Sequence, residues 1–168
     1  LEQWDLTIGS MRQDGSLPIE TRRGARALFY HGRTLAGLVQ LAERANLQGI
    51  NLYDRIGISS KNIHKAVKFF IEAILEPKLI IQYAKTNYVP GPSKNFSTQY
   101  LGGSGSSTFA WVAPYISRFP DHPNTKVLIS MKTSDSPLAR KLVEAVKMNG
   151  TSAEWIGVDA RCFYASFK

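Results

Sequence analysis

The sequence predicts an all-α chain, a single domain of antiparallel helices joined by loops of uneven length. Three observations carry this. Apolar residues recur at helical spacing in well-separated stretches, most plainly Leu28, Leu35, Val39 and Ala42, and then Ile63, Val67, Phe70, Ile71 and Ile74. Helix start and stop signals bracket those stretches, with Pro18, Pro137 and the pair Asn149-Gly150 at expected boundaries. The 168 residues are 43% hydrophobic, enough for one real core and too few for two large domains. No repeat of solenoid period occurs.

The elements follow in order. Trp4, Leu6, Ile8 and Met11 suggest a first helix already under way at residue 1. Asp14-Gly15 is a strong turn dipeptide and Pro18 limits helix before it. A long central helix then carries the first apolar stripe and ends between Ala45 and Gly49. Ser59 or Ser60 is positioned to cap a third helix, with Lys61, His64, Lys65 and Lys68 on its solvated side. Pro77 ends that helix or permits a short second segment through Leu79, Ile80 and Ile81.

From Thr86 to Ser107 the chain is rich in Pro, Gly, Ser and aromatics, a loop of functional length. Its GGSGSS run lacks a following GK[ST] and a preceding strand, so it does not read as a phosphate cradle. Helix resumes near Thr108, in TFAWVAPYISRF. TKVLISMK is ambiguous between a helical turn and a short strand, because it is rich in β-branched residues. Ser134 or Asp135 caps a last helix, PLARKLVEAVKM, and the tail alternates loosely.

Lys and Arg number 21 against 13 Asp and Glu, a net charge of +8. Such an excess calls for a polyanionic partner: nucleic acid, an anionic membrane surface or an acidic polysaccharide. No recognised nucleic-acid-reading motif is present, and no apolar run approaches the ~18 residues of a membrane span. A single cysteine, Cys162, excludes an internal disulfide and leaves the compartment open. The first residues show neither a signal-peptide layout nor an initiator Met, as expected of a piece of a longer polypeptide.

The stretch Asp14–Leu41 concentrates the chemistry. Arg22, Arg23, Arg26, Tyr30, His31 and Arg33 crowd the start of the central helix. On a continuous helix Arg23 and Tyr30, seven residues apart, share a face, separated by about 10 Å of rise. A guanidinium and a phenol so placed grip one anionic ring from two sides. Arginines in early helical turns are also common as a plain solvated face. Against that, positive charge at a helix N-terminus opposes the macrodipole unless an anion is present, and the Arg fork matches carboxylates.

Other chemistry is absent. His31, His64 and His122 show no metal-ligand spacing, no GxSxG occurs, and the aromatic and Ala neighbours of Cys162 point to packing. Nothing calls for a metal or cofactor. Asp14, Glu20, Asp54 and Glu72 offer carboxylates, but no spacing links any two of them.

Residues 14–54, DGSLPIETRRGARALFYHGRTLAGLVQLAERANLQGINLYD, resemble the segment around the active-site tyrosine of the mannuronate-cleaving, mostly helical alginate lyases. That family reads approximately DG-[TS]-[LF]-P-[LM]-E-x-x-RG-x-RAL-x-YH there. Asp14-Gly15, Pro18, Glu20, Arg23-Gly24, Arg26-Ala27-Leu28 and Tyr30-His31 all match. WVAPYISRFP is more loosely similar to the family's late WLEPY-type helix. The resemblance implies part of an incomplete (α/α) toroid whose groove binds a uronate polymer and cleaves it by β-elimination. Tyr30 matches the catalytic acid–base tyrosine and Arg23 the arginine that neutralises the uronate carboxylate.

Arg26, His31, Arg22 and Arg33 are then expected in substrate binding or in support of the site. Phe29 stands where relatives often carry His. The family's Asn-His pair lies on earlier helices and has no counterpart here, since Asn62-Ile63-His64 has the wrong spacing and follows Tyr30. The chain accordingly resembles the C-terminal half of such a lyase, with the missing N-terminal half as its natural partner and the periplasm or exterior as its location. A non-catalytic polyanion-binding helical module is the alternative, using the same arginines without the tyrosine's chemistry.

Overall fold

The computed structural model describes residues 1–56, 60–86 and 98–148, and the backbone of two short strands beyond them. The helices are α1 (Glu2–Ser10), α2 (Pro18–Thr21), α3 (Ala27–Asn46), α4 (Ile63–Leu75), α5 (Lys78–Thr86), α6 (Val112–Arg118), α7 (Pro123–Ser130) and α8 (Ala139–Lys147). Short 3₁₀ turns at Gly24–Arg26 and Ser107–Phe109 precede α3 and α6. Among the described residues of the tail, Ser152–Ala153 pairs antiparallel with Val158–Asp159. Apart from that ladder, the regular structure among the described residues is helical, the all-α class that the periodicity predicts.

α3 is the hub. Its stripe Leu28, Leu35, Ala36, Val39 and Ala42 is fully buried, and it packs on α2, α4, α6 and the 107–109 turn. Gly32 permits that last approach, because a Cβ there would stand 2.5 Å from Thr108 Cγ2 and 2.8 Å from Phe70 Cε2. Around it Phe70 meets Trp111 edge-on at 5.6 Å, and Trp111 meets Tyr115 at 6.0 Å. Edge-to-face rings of this kind contribute beyond their buried area.

Several expectations are corrected. Trp4, Ile8 and Met11 are buried at i, i+4, i+7, which leaves Leu6 off the stripe and 59% exposed. The long central helix is not continuous through the arginines. α2 ends at Thr21, Gly24 takes φ 56, and α3 begins only at Ala27. α4 is capped by Asn62, whose side chain accepts from Lys65 N–H at 3.1 Å from an extended backbone. Ser60 cannot serve there, since its φ of 58 is left-handed; Ser59 lies outside the described residues.

α5 runs to Thr86, well past the short segment expected behind Pro77. TKVLISMK is helical through Ser130, because Pro123 opens α7 and the His122 side chain caps it, and Met131 leaves the helix in extended backbone. α8 starts after Ser136, whose Oγ accepts from Ala139 N–H at 3.1 Å and donates to Ile74 C=O at 2.6 Å. Asp135 is otherwise engaged, accepting from Lys132 N–H at 2.7 Å. Ser107 ends the irregular stretch, of which 98–106 are described. The closing Asn149-Gly150 and Cys162 lie outside the described residues.

Candidate functional site

The Asp14-Gly15 turn is built to hold the arginines behind it. Asp14 accepts from Ser16 N–H at 2.9 Å and from the Tyr83 hydroxyl at 2.6 Å. Burial opposes ionisation of Asp14, but these bonds and the nearby Arg12 outweigh it and hold its carboxyl below the ordinary range. Arg12 lies 4.0 Å over the Tyr83 ring and donates to Thr21 Oγ1 at 2.9 Å. The last residue of α2 is thereby fixed, and Arg22 and Arg23 leave it in a set direction.

The break between α2 and α3 brings Arg23 onto Tyr30 by a different route from the helical register. The kink at Gly24 folds the chain back, and the Arg23 guanidinium stacks 4.6 Å over the Tyr30 ring. A cation at that separation from a ring face is attracted by its quadrupole. Arg23 Nε also faces Glu20 Oε2 at 3.5 Å. Both residues line a cleft of about 420 Å³ whose wall includes Glu20, Arg33, Thr34 and Leu38. Burial raises the Glu20 carboxyl, against the pull of Arg23, a Thr34 hydrogen bond, Arg22 and Arg33.

The other candidates separate. Arg33 shares the cleft and lies 5.6 Å over the Phe29 ring. Arg22 is half-buried beside Glu20 and does not line the cleft. Arg26 turns toward Tyr100, 5.4 Å over its ring. His31 is a correction: as a substrate-binding residue it is out of reach, being wholly buried with Nε2 donating to Ala66 C=O at 3.2 Å. Its ring packs 5.3 Å from Phe69 and 6.1 Å from Phe70. Residue 31 lies one position beyond Tyr30, about 100° around the helix, and so faces the core.

Two residues with roles here carried no signal in the sequence. Gln99 is buried and spans the break before α3, accepting from Leu28 N–H at 3.1 Å and donating to Gly24 C=O at 3.1 Å. Tyr100 N–H donates to Ala25 C=O at 2.7 Å, which seats the Tyr100 ring 5.4 Å from Phe29. Glu20 was legible as part of the motif but not as an acidic partner inside an arginine cluster.

Buried imidazoles make the fold sensitive to acid. Burial lowers His31 to about 4, and burial with the neighbouring His122 lowers His64 to about 4. Between pH 6.5 and 4 the unfolded chain therefore binds more protons than the folded one, so stability is full above 6.5 and falls as pH drops. His31 alone accounts for roughly 3 kcal/mol across that window, and the more exposed His64 adds less. Urea titrations at pH 7 and 4.5 should show the midpoint falling, and His31→Gln should flatten the dependence. Equal midpoints would show that His31 is not buried as a neutral ring.

Residues 1–80 match the family model described as alginate lyase. Over 116 residues the chain is 35% identical to a protein of Stenotrophomonas maltophilia (strain K279a) named "Polysaccharide lyase", a match covering 68% of this chain. The match spans 29% of that relative's length. The matched residues include the Asp14-Gly15 turn, the kink at Gly24 and the Arg23–Tyr30 stack, and the chain is an alginate-lyase-like member of the polysaccharide lyases.

Proposed function

We propose that this chain acts within a lyase for uronate-rich, alginate-like polysaccharide, its helices forming part of an (α/α) toroid. The observation that carries the reading is the Arg23 guanidinium fixed 4.6 Å over Tyr30 at a cleft shared with Arg33. In β-elimination the C5–H bond breaks and its electron pair is held through the C6 carboxylate; that pair forms the C4=C5 double bond as the C4–O4 bond breaks, and O4 takes a proton. Tyr30, as phenolate, takes the C5 proton, and the resulting phenol protonates O4. Arg23 pairs with the C6 carboxylate, where negative charge accumulates as C5 is deprotonated, and Arg33 adds positive potential. Glu20 holds Arg23 from behind. No step calls for a metal or cofactor.

The chain spans 29% of its relative, and the Asn-His half of the site has no counterpart here. Groups that act together in catalysis lose most of their effect when one is removed. The isolated chain is accordingly expected to bind uronate weakly and to turn it over slowly or not at all. The N-terminal portion of a family lyase, added in trans, should restore turnover. Such an enzyme meets its polymer in the periplasm or outside the cell. The test incubates the chain, alone and with that added portion, with mannuronate-, guluronate- and glucuronate-rich polymers. Ultraviolet absorbance of the unsaturated product is the signal. Its absence on every polymer in both arrangements would overturn the reading, and full activity of the isolated chain would show the site is misplaced.

A further inference from the structure

A second cleft lies between α4 and α7, and none of its lining residues lines the Tyr30 cleft. Its volume is about 450 Å³, and His64, Lys65, Lys68, Glu72, His122 and Val127 line it. Its inner wall is a hydrogen-bonded set around the buried Tyr115. The Tyr115 hydroxyl lies 2.7 Å from His64 Nδ1 and 3.3 Å from His122 Nδ1, and Asn124 Nδ2 donates to it at 3.2 Å. The two imidazoles stack with centroids 4.5 Å apart and planes 19° from parallel.

Donor and acceptor accounting settles where the protons are. Asn124 Nδ2 also donates to His64 C=O at 2.9 Å, and a carbonyl only accepts, so the amide orientation is determined. Asn124 backbone N–H donates to His122 Nδ1 at 3.1 Å, occupying the one in-plane lone pair of that nitrogen. The Tyr115 proton therefore goes to His64 Nδ1, the shorter contact. Both rings accept at Nδ1 and carry their proton at Nε2, on the edge turned away from Tyr115. Burial also raises the Tyr115 hydroxyl, which keeps it a donor, and lowers both imidazoles, which keeps them neutral.

We infer that this cleft binds an organic carboxylate about the size of one uronate unit, with the paired Nε2–H groups of His64 and His122 as its donors. Two stacked imidazoles lining one cleft, each with its Nδ1 taken up at Tyr115 or Asn124, leave two N–H donors for the two oxygens of one carboxylate, and Lys65 supplies positive charge at the rim. Lys68 is shared with Glu72 at 3.5 Å, which tempers the charge and favours a monoanion. Ile71 and Val127 offer apolar surface to the C–H face of the body attached to the carboxylate. A purely structural cluster would satisfy Tyr115 equally well, but gives no reason for cations and two outward donors around an open cleft. The site stands on its own residues and does not depend on the reading of Tyr30.

The chain has three histidines, and buried His31 serves as an internal reference. Imidazole C–H signals of the whole chain are followed by NMR at pH 7 while sodium glucuronate, sodium acetate or sodium chloride is added at matched ionic strength. Glucuronate should move the His64 and His122 signals saturably and leave His31 in place. A matching response to acetate would identify the carboxylate alone as the recognised group, and a glucuronate-only response would add the sugar; either supports the site. Lys65→Ala, on a half-exposed side chain, should weaken glucuronate at least threefold with His31 unmoved. Equal responses to chloride, no response, movement of His31 alongside the others, or full affinity in Lys65→Ala would each overturn the inference.

Discussion

Tyr30→Phe is expected to keep its affinity for alginate and to lose elimination by about 10²–10⁴-fold, the range for removing a positioned acid–base group. Phenylalanine keeps the ring beneath the Arg23 guanidinium, 4.6 Å from its centroid, so the cleft keeps its shape. Only the titratable oxygen is removed. Arg23→Lys should behave differently, weakening binding as well as rate, because an ammonium cannot stack on the ring and fork to a carboxylate together. Turnover is read with the complementary N-terminal portion present, and affinity by calorimetry on the chain alone. A non-catalytic polyanion-binding module would show no change in Tyr30→Phe by either measurement. Competition by alginate and not by duplex DNA would set nucleic acid aside.

The largest stability effect is expected at Gly15. Its φ is +92, a backbone conformation that side-chain-bearing residues rarely adopt. A Cβ there would sit 2.1 Å from the Lys65 carbonyl oxygen, and that oxygen belongs to the α4 backbone, which cannot swing aside. Gly15→Ala must therefore either break the turn or push α4 away, at a cost of about 4 kcal/mol or more, in the range reserved for backbone strain with steric conflict. Gly37→Ala provides the contrast. That glycine is inside α3 with nothing within 4 Å of its would-be Cβ, so alanine should stabilise by about 0.5–1 kcal/mol. Denaturant midpoints measure both, and an unchanged midpoint in Gly15→Ala would mean the turn does not pack on α4 as described.

What was legible in the sequence was whatever depends on local periodicity or on a contiguous motif. The buried stripe of α3 and the apolar face of α4 follow from spacing alone, and Tyr30 and Arg23 from one run of residues. Contacts between distant segments left no trace. Nothing local marks Asn62 over Ser60 as a cap, because the choice rests on a φ of 58 at Ser60. His64 reads as solvated beside Lys65 and Lys68, and only the approach of α6 and α7 turns its ring onto Tyr115. His122 shows no metal-ligand spacing and no other local signal, yet its side chain caps α7 and stacks on His64. Even the Arg23–Tyr30 pairing, expected from helical register, arises from a broken register and a kink at Gly24.

Gln99 bears on how the site comes into being. Its amide joins Gly24 and Leu28 across separations of 75 and 71 residues. The break that aims Arg23 at Tyr30 thus has its exposed peptide groups satisfied by a part of the chain that is synthesised much later. Closing so long a loop is slow relative to forming a helix, although lengthening it further costs little free energy. The motif is therefore complete only once residue 99 has reached the start of α3. A synthetic peptide of residues 14–41 would hold every residue of the motif and lack the arrangement that gives them a task.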